Sequence, residues 1–191
     1  MGRFVGKTVA DWGEYVYAKT NAPELLRLEL PKKIKNKGVG KEIFLSSVTD
    51  PYQGMEAKYQ VTRHCLEELI AFGFGGLVSI LTKSDLVLRD IDLLKKLFRV
   101  SVGLTVTSMD DGVSRFFETY APPSSRRITA LATLHKEGIK TYAFIGPLLP
   151  HFVAQEDALD RLVAAIAASG TRDIFVEHLN LSSYIRTRLM K

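Results

Sequence analysis

The 191-residue chain holds a single cysteine, Cys65, and that scarcity excludes more functions than any residue present suggests. One thiol allows no internal disulfide and no site within the chain that needs several thiolates, whether a zinc centre or an iron-sulfur cluster. Long hydrophobic runs are missing as well. No stretch approaches the roughly 20 uninterrupted apolar residues of a membrane span, and Met1 to Lys7 lacks the apolar region of a signal peptide, so the expectation is a cytoplasmic protein without a membrane segment. There is no Gly-x-Ser-x-Gly elbow and no Walker loop, and His64, His135, His151 and His178 show no HExxH spacing. Gly73, Gly75 and Gly76 miss the Gly-x-Gly-x-x-Gly pattern, because Val78 stands three residues after Gly75; a dinucleotide-fold dehydrogenase is disfavoured. The 14 glycines and 7 prolines form no biased tract, which leaves no linker and implies one domain over residues 1–191.

Apolar material, by contrast, is plentiful: 46% of residues are hydrophobic and 25% charged, enough for one substantial core. Five β-rich runs recur, at Glu42 to Val48, Leu77 to Leu81, Val100 to Val106, Thr141 to Ile145 and Asp173 to Glu177. They are continuous rather than alternating, as expected for parallel strands covered on both faces. Helical spacing lies between them. Gln53 to Phe72 carries Tyr59, Leu66, Leu69 and Ile70 and stops at Gly73; Ser124 to Lys136 carries Ile128, Leu131 and Leu134; Glu156 to Ser169 carries Leu159, Leu162, Val163 and Ile166. Asn21-Ala22-Pro23-Glu24 opens a further helix, with Asn21 as its cap and Pro23 in its first turn. The class is therefore α/β, and periodicity leaves a doubly wound sheet and a barrel of βα units both open. Net charge is +5, with lysines concentrated in Pro31 to Lys41. Such a run can sit on nucleic-acid phosphates, but it fits better as a helix C-terminus before a glycine stop.

In parallel α/β proteins ligands bind where the strands end, because loops and helix N-termini converge there. The residues following the five runs are Ser46 to Gln53, Thr82 to Asp85, Thr105 to Asp111, Gly146-Pro147 and His178 to Asn180. Asp50, Ser84 or Asp111 can each simply cap the next helix. Polar groups at all five ends are harder to assign to capping alone. Lys83 stands out as a point charge able to meet a carboxylate or phosphate. Tyr52, Tyr142, His178 and Asn180 are candidate substrate contacts by position. Cys65 falls inside a helical pattern and reads as a buried, inert thiol.

Several segments taken in order, Val16 to Leu26, Leu45 to Gln53, Ser79 to Ser84, Arg89 to Leu94 and Phe144 to Pro150, resemble the radical S-adenosylmethionine (radical SAM) group related to spore photoproduct lyase, the DNA repair photolyase-like proteins. The resemblance implies a partial (β/α)6 barrel, here missing its first strand, with a four-iron, four-sulfur cluster and S-adenosylmethionine at the open mouth. It implies generation of a 5′-deoxyadenosyl radical and a role in nucleic-acid repair or modification. It implies that Thr49 and Asp50 lie near the methionyl amino group, that Lys83 lies near the methionyl carboxylate, and that Thr105 lies near the ribose, with Glu118 and Arg127 as a pair after that strand and Thr82 among the cofactor-binding residues. The departures are as informative. The family's Cys-x3-Cys-x2-Cys loop is absent, and Met1-Gly2-Arg3-Phe4 looks like sequence that follows it, so the chain alone is expected to be inactive. It begins at an internal methionine, or is a cluster-free relative, or shares a cluster with another chain. Val48-Thr49-Asp50 also replaces the hydrogen-donating cysteine of the lyases proper, which speaks against thymine-dimer repair. Two other readings stand beside this one: a cluster-free barrel binding an adenosyl ligand or nucleic acid, and a phosphate-binding barrel enzyme using Lys83. A lost first strand would expose a sheet edge and invite pairing with a second copy.

Overall fold

Five parallel strands form the sheet in the computed structural model, which describes residues 6–8, 11, 14–45, 48–148, 155–179 and 186–187. They are β1 (Glu42–Leu45), β2 (Leu77–Thr82), β3 (Arg99–Thr105), β4 (Lys140–Ile145) and β5 (Asp173–Val176), each beside its neighbour in the chain. The register runs Phe44 to Ser79, Ser79 to Ser101, Ser101 to Lys140 and Tyr142 to Asp173. All five expected strands are present. The spatial order follows chain order throughout, without the switch point of a doubly wound sheet, and is consistent with part of a barrel of βα units.

Helix α1 (Ala22–Lys33) precedes β1, and α2 (Glu56–Tyr59), α3 (Val61–Phe72), α4 (Ile91–Leu94), α5 (Asp111–Phe117), α6 (Ser124–Lys136) and α7 (Ala158–Ala168) lie between the strands. Alternate strand residues Val78, Ile80, Val102, Leu104, Ala143 and Ile145 share one core with Leu66 and Leu69 of α3, Leu131 and Leu134 of α6, and Leu162 and Ile166 of α7. The opposite face lines a trough of about 610 Å³, with Phe44, Ser79, Leu81, Tyr142, Phe144 and Phe175 among its walls. Coverage on both faces, expected from the continuous runs, is therefore met only at the centre of the sheet. In β5 the exposed Phe175 and Val176 are left open. Among the described residues no strand pairs with the outer edges of β1 or β5.

Local chemistry accounts for most boundaries and for two departures. The helix expected over Gln53 to Phe72 is broken, because Gln60 adopts a left-handed conformation (φ 49°, ψ 33°). Glu56 then folds back to accept from the Thr62 and Arg63 backbone N–H groups at 3.0 and 3.2 Å, capping α3 where Gln60 supplies no side-chain cap. Asn21 precedes α1 but makes no side-chain capping bond, and that helix runs through Pro31 to Lys33. Within the lysine run, Lys32 and Lys33 lie in the last turn of α1, and Lys37 Nζ donates to the Phe72 carbonyl at the end of α3 (2.7 Å). Lys32 and Lys33 thus stand at a helix C-terminus, although Ile34 in extended conformation, not a glycine, follows the helix. No described helix is long and apolar enough to cross a membrane.

Candidate functional site

Lys83 follows the last residue of β2 and Thr105 is the last residue of β3, so both stand at the carboxyl end of the sheet. Between these strand ends runs a connected set of polar groups. Asp50 Oδ1 accepts from Thr82 Oγ1 (2.6 Å) and from the Tyr52 N–H (2.8 Å), while Oδ2 accepts from the Lys83 N–H (2.7 Å). Asp50 therefore braces two strand-end loops rather than capping a helix. Lys83 Nζ stands 2.6 Å from Glu118 Oε1, and the other Glu118 oxygen forms an ion pair with Arg127 Nη1 at 2.5 Å. Arg127, fully buried, also donates to the carbonyls of Pro122 (2.7 Å) and Thr105 (3.0 Å). Six of the seven residues that the resemblance singles out, Asp50, Thr82, Lys83, Thr105, Glu118 and Arg127, are thus joined into one chain of contacts. Thr49 lies exposed at its rim.

The four substrate candidates are placed differently. Tyr142 lines the trough, edge-on to Phe175 at 5.5 Å, and donates its hydroxyl to the Ile80 carbonyl (3.0 Å); burial raises the phenol's pKa. Tyr52 is 1% exposed and packs in the core beneath Asp50, where burial first and the neighbouring Asp90 second raise its pKa. Its buried ring offers nothing to the trough. His178 is exposed beyond β5, and Asn180 lies outside the described residues. Tyr142 also fixes its own floor. A Cβ on Gly103 would fall 2.2 Å from the Tyr142 ring, so Gly103→Ala is expected to expel that ring at about 1–3 kcal/mol. The check is a loss of near-ultraviolet tyrosine dichroism together with a lowered Tm.

Sequence reasoning did not single out three further hydroxyls on the stretch between Thr105 and Arg127. The hydroxyls of Thr107, Ser114 and Ser124 and the Nη2 of Arg127 are buried without a hydrogen-bond partner among the described residues. Buried polar atoms are normally satisfied, so unpartnered ones on the segments that carry Glu118 and Arg127 are candidates for a water or polar-ligand contact. Their signal was the Ser/Thr content of the stretch from Thr105 to Ser125, which sequence alone could equally assign to capping. Asp110, not Asp111, caps α5 through the Gly112 and Val113 N–H groups; Asp111 instead accepts from Ser125. Ser84 caps the 3-10 helix Asp85–Asp90.

An iron-sulfur cluster does not fit the residues present. Cys65 sits on α3, half-buried, with its thiol pushed up to about 11 by burial and by Glu56 and Glu68. No group of three or more His, Cys, Asp or Glu residues that could hold a metal occurs among the described residues. The thiol is accordingly expected to resist a disulfide reagent at pH 8, where about one molecule in a thousand is thiolate, and to gain reactivity with pH up to about 11. Fast labelling at pH 8 would contradict this.

No family model matches the sequence. An uncharacterized protein of Methanocaldococcus jannaschii is 41% identical over 145 residues, covering 76% of this chain and 52% of the relative. An uncharacterized protein of Mycobacterium tuberculosis is 29% identical over 179 residues, covering 92% and 51%. The chain thus spans about half the length of the curated relatives it matches. Among solved structures, a spore photoproduct lyase mutant matches with TM-score 0.62 and 16% identity, over 84% of this chain and 46% of that one. Spore photoproduct lyase complexed with dinucleoside spore photoproduct gives 0.60 and 15%, over 81% and 43%. SuiB of Streptococcus suis bound to S-adenosylmethionine gives 0.53 and 12%, over 75% and 30%. These neighbours are radical SAM enzymes. At such identities the likeness concerns the fold, and the chain has a radical SAM-like α/β fold built on a five-stranded parallel sheet.

Proposed function

We propose that this chain forms the S-adenosylmethionine-binding wall of a radical SAM-type partial (β/α)6 barrel, and that by itself it binds the ligand without cleaving it. The observation that carries the reading is the contact chain from Asp50 through Thr82, Lys83, Glu118 and Arg127 to Thr105, set at the carboxyl ends of β2 and β3. Its two carboxylates and two cations balance. A site of that kind suits a ligand carrying both signs, such as the methionyl ammonium and carboxylate, better than it suits a simple phosphate. The buried hydroxyls of Thr107, Ser114 and Ser124 match a sugar diol, which both donates and accepts. S-adenosylmethionine supplies a sulfonium when bound; the chain's own residues orient the ligand and shield it from water. Because one cysteine cannot hold the cluster, reduction of that sulfonium is not assigned to these residues; nucleic acid is the substrate class we favour for the chemistry wherever a cluster is supplied, a reading suggested by the fold likeness to spore photoproduct lyase.

Titration calorimetry of the chain with S-adenosylmethionine, S-adenosylhomocysteine and inorganic phosphate tests the proposal. The expected result is binding of both adenosyl compounds and none of phosphate. Phosphate binding that depends on Lys83, with no heat from either adenosyl compound, would replace it with the phosphate-site reading.

A further inference from the structure

Two of the proposed ligand-facing residues, Asp50 and Lys83, lie on different loops, and a second polar network ties those loops together behind the site. Glu56 and Asp90 are both buried, at 6% and 0% exposed. Arg89 spans them. Its Nη2 donates to Glu56 Oε1 (2.9 Å) and Asp90 Oδ2 (2.8 Å), its Nε donates to Asp90 Oδ1 (2.8 Å), and its Nη1 donates to the Glu56 carbonyl (3.0 Å). Arg63 adds a second cation, donating from Nη1 to Asp90 Oδ1 (2.8 Å) and bidentately to Asp92 at 2.9 Å. Thr62 Oγ1 closes the set on the Pro51 carbonyl, one residue from Asp50 (2.6 Å). The loop from Asp50 to α3 and the loop from Lys83 to α4 are therefore held at two levels: by Asp50 itself at the mouth, and by the Glu56–Arg89–Asp90–Arg63 network behind it.

Burial alone would raise the Asp90 carboxyl, but the hydrogen bonds from Arg89 and Arg63 outweigh it and hold the group below the ordinary carboxylate range. A buried carboxylate with two guanidinium partners fixes the geometry of everything attached to it, because moving any member leaves a charge unpaired. Arg89 suits this place for a reason lysine would not: its planar fork meets two acceptors at fixed angles.

We infer that Arg89 and Asp90 are positioning residues for the proposed ligand site, setting the separation of Asp50 and Lys83 without touching the ligand; this rests on the function proposed above. The test compares Arg89→Met, Arg89→Lys and Leu162→Ala, the last a core cavity on α7 remote from both loops, at temperatures where each is fully folded. Two readouts are taken: acylation of the Lys83 amine, followed by peptide mass spectrometry, and S-adenosylhomocysteine affinity. Arg89→Met should speed Lys83 acylation about fivefold, the scale of one ion pair of this exposure, and weaken the ligand about tenfold. Arg89→Lys should fall between, and Leu162→Ala should change neither despite a lowered Tm. If Arg89→Met does not fold, Arg89→Lys against Leu162→Ala carries the same comparison. Unchanged Lys83 acylation in the Arg89 variants, or an equal change in Leu162→Ala, overturns the inference. Faster acylation in a protein that binds no adenosyl compound, parent included, upholds the positioning role and removes the proposed function instead.

Discussion

Lys83→Met is expected to weaken S-adenosylmethionine binding roughly 10- to 150-fold, the loss of about 1.5–3 kcal/mol that a charge-assisted hydrogen bond supplies. The Lys83 side chain is 38% exposed, against 9% for its partner Glu118. The ammonium is therefore the accessible member of the pair, able to exchange a protein carboxylate for a ligand one. Substitution also leaves Glu118 paired with Arg127, so the fold should tolerate the change: a surface-side ion pair contributes about 0–1 kcal/mol. This separates the effect from unfolding. Calorimetry should show the loss in affinity with Tm shifted by only a few degrees, and S-adenosylhomocysteine should lose as much, since it keeps the methionyl carboxylate. Affinity unchanged within twofold would remove Lys83 from the site. A loss for S-adenosylmethionine alone would point to the sulfonium instead of the carboxylate.

The contrast between what the sequence disclosed and what it hid follows from the range over which each feature is determined. β2, β3, β4 and β5 came within a residue or so at each described boundary because continuous apolar runs between glycines admit few alternatives. The break at Gln60 was not legible, because it depends on Glu56 reaching the Thr62 and Arg63 amides, and a polar residue at helical spacing gives no sign that it will fold back. The 3-10 turn and α4 escaped for a related reason: Asp85 to Leu94 is short, and its order comes from Arg63 and Glu56, remote in sequence. That Asp50, Thr82, Lys83 and Thr105 stand at strand ends was readable from the sequence, while their part in ligand binding is a proposal. Glu118 and Arg127 rested on the resemblance alone, for nothing in local spacing shows that Arg127 turns inward to the Thr105 carbonyl. Tyr52 shows the limit of positional reasoning: it follows a strand end, yet the Asp50 turn carries its ring into the core.

The largest loss of stability should come from Arg127→Met. In the parent, this fully buried guanidinium neutralises Glu118 and satisfies two carbonyls, of Pro122 and Thr105. Methionine fills similar volume but donates nothing, so both carbonyls lose a donor and Glu118 keeps only the half-exposed Lys83. Breaking a buried pair from one side costs about 3–5 kcal/mol, and Lys83 offsets a fraction, leaving about 3 kcal/mol. For a chain of this length that corresponds to a fall in Tm of roughly 6–12 °C. Adding Glu118→Gln should restore part of it, because the unpaired charge disappears while the carbonyls stay unsatisfied. Thermal denaturation of the single and double variants measures both numbers. A Tm within 2 °C of the parent for Arg127→Met would show that the buried pair contributes little. A double variant no more stable than the single would place the cost in the Pro122 and Thr105 carbonyls rather than in Glu118.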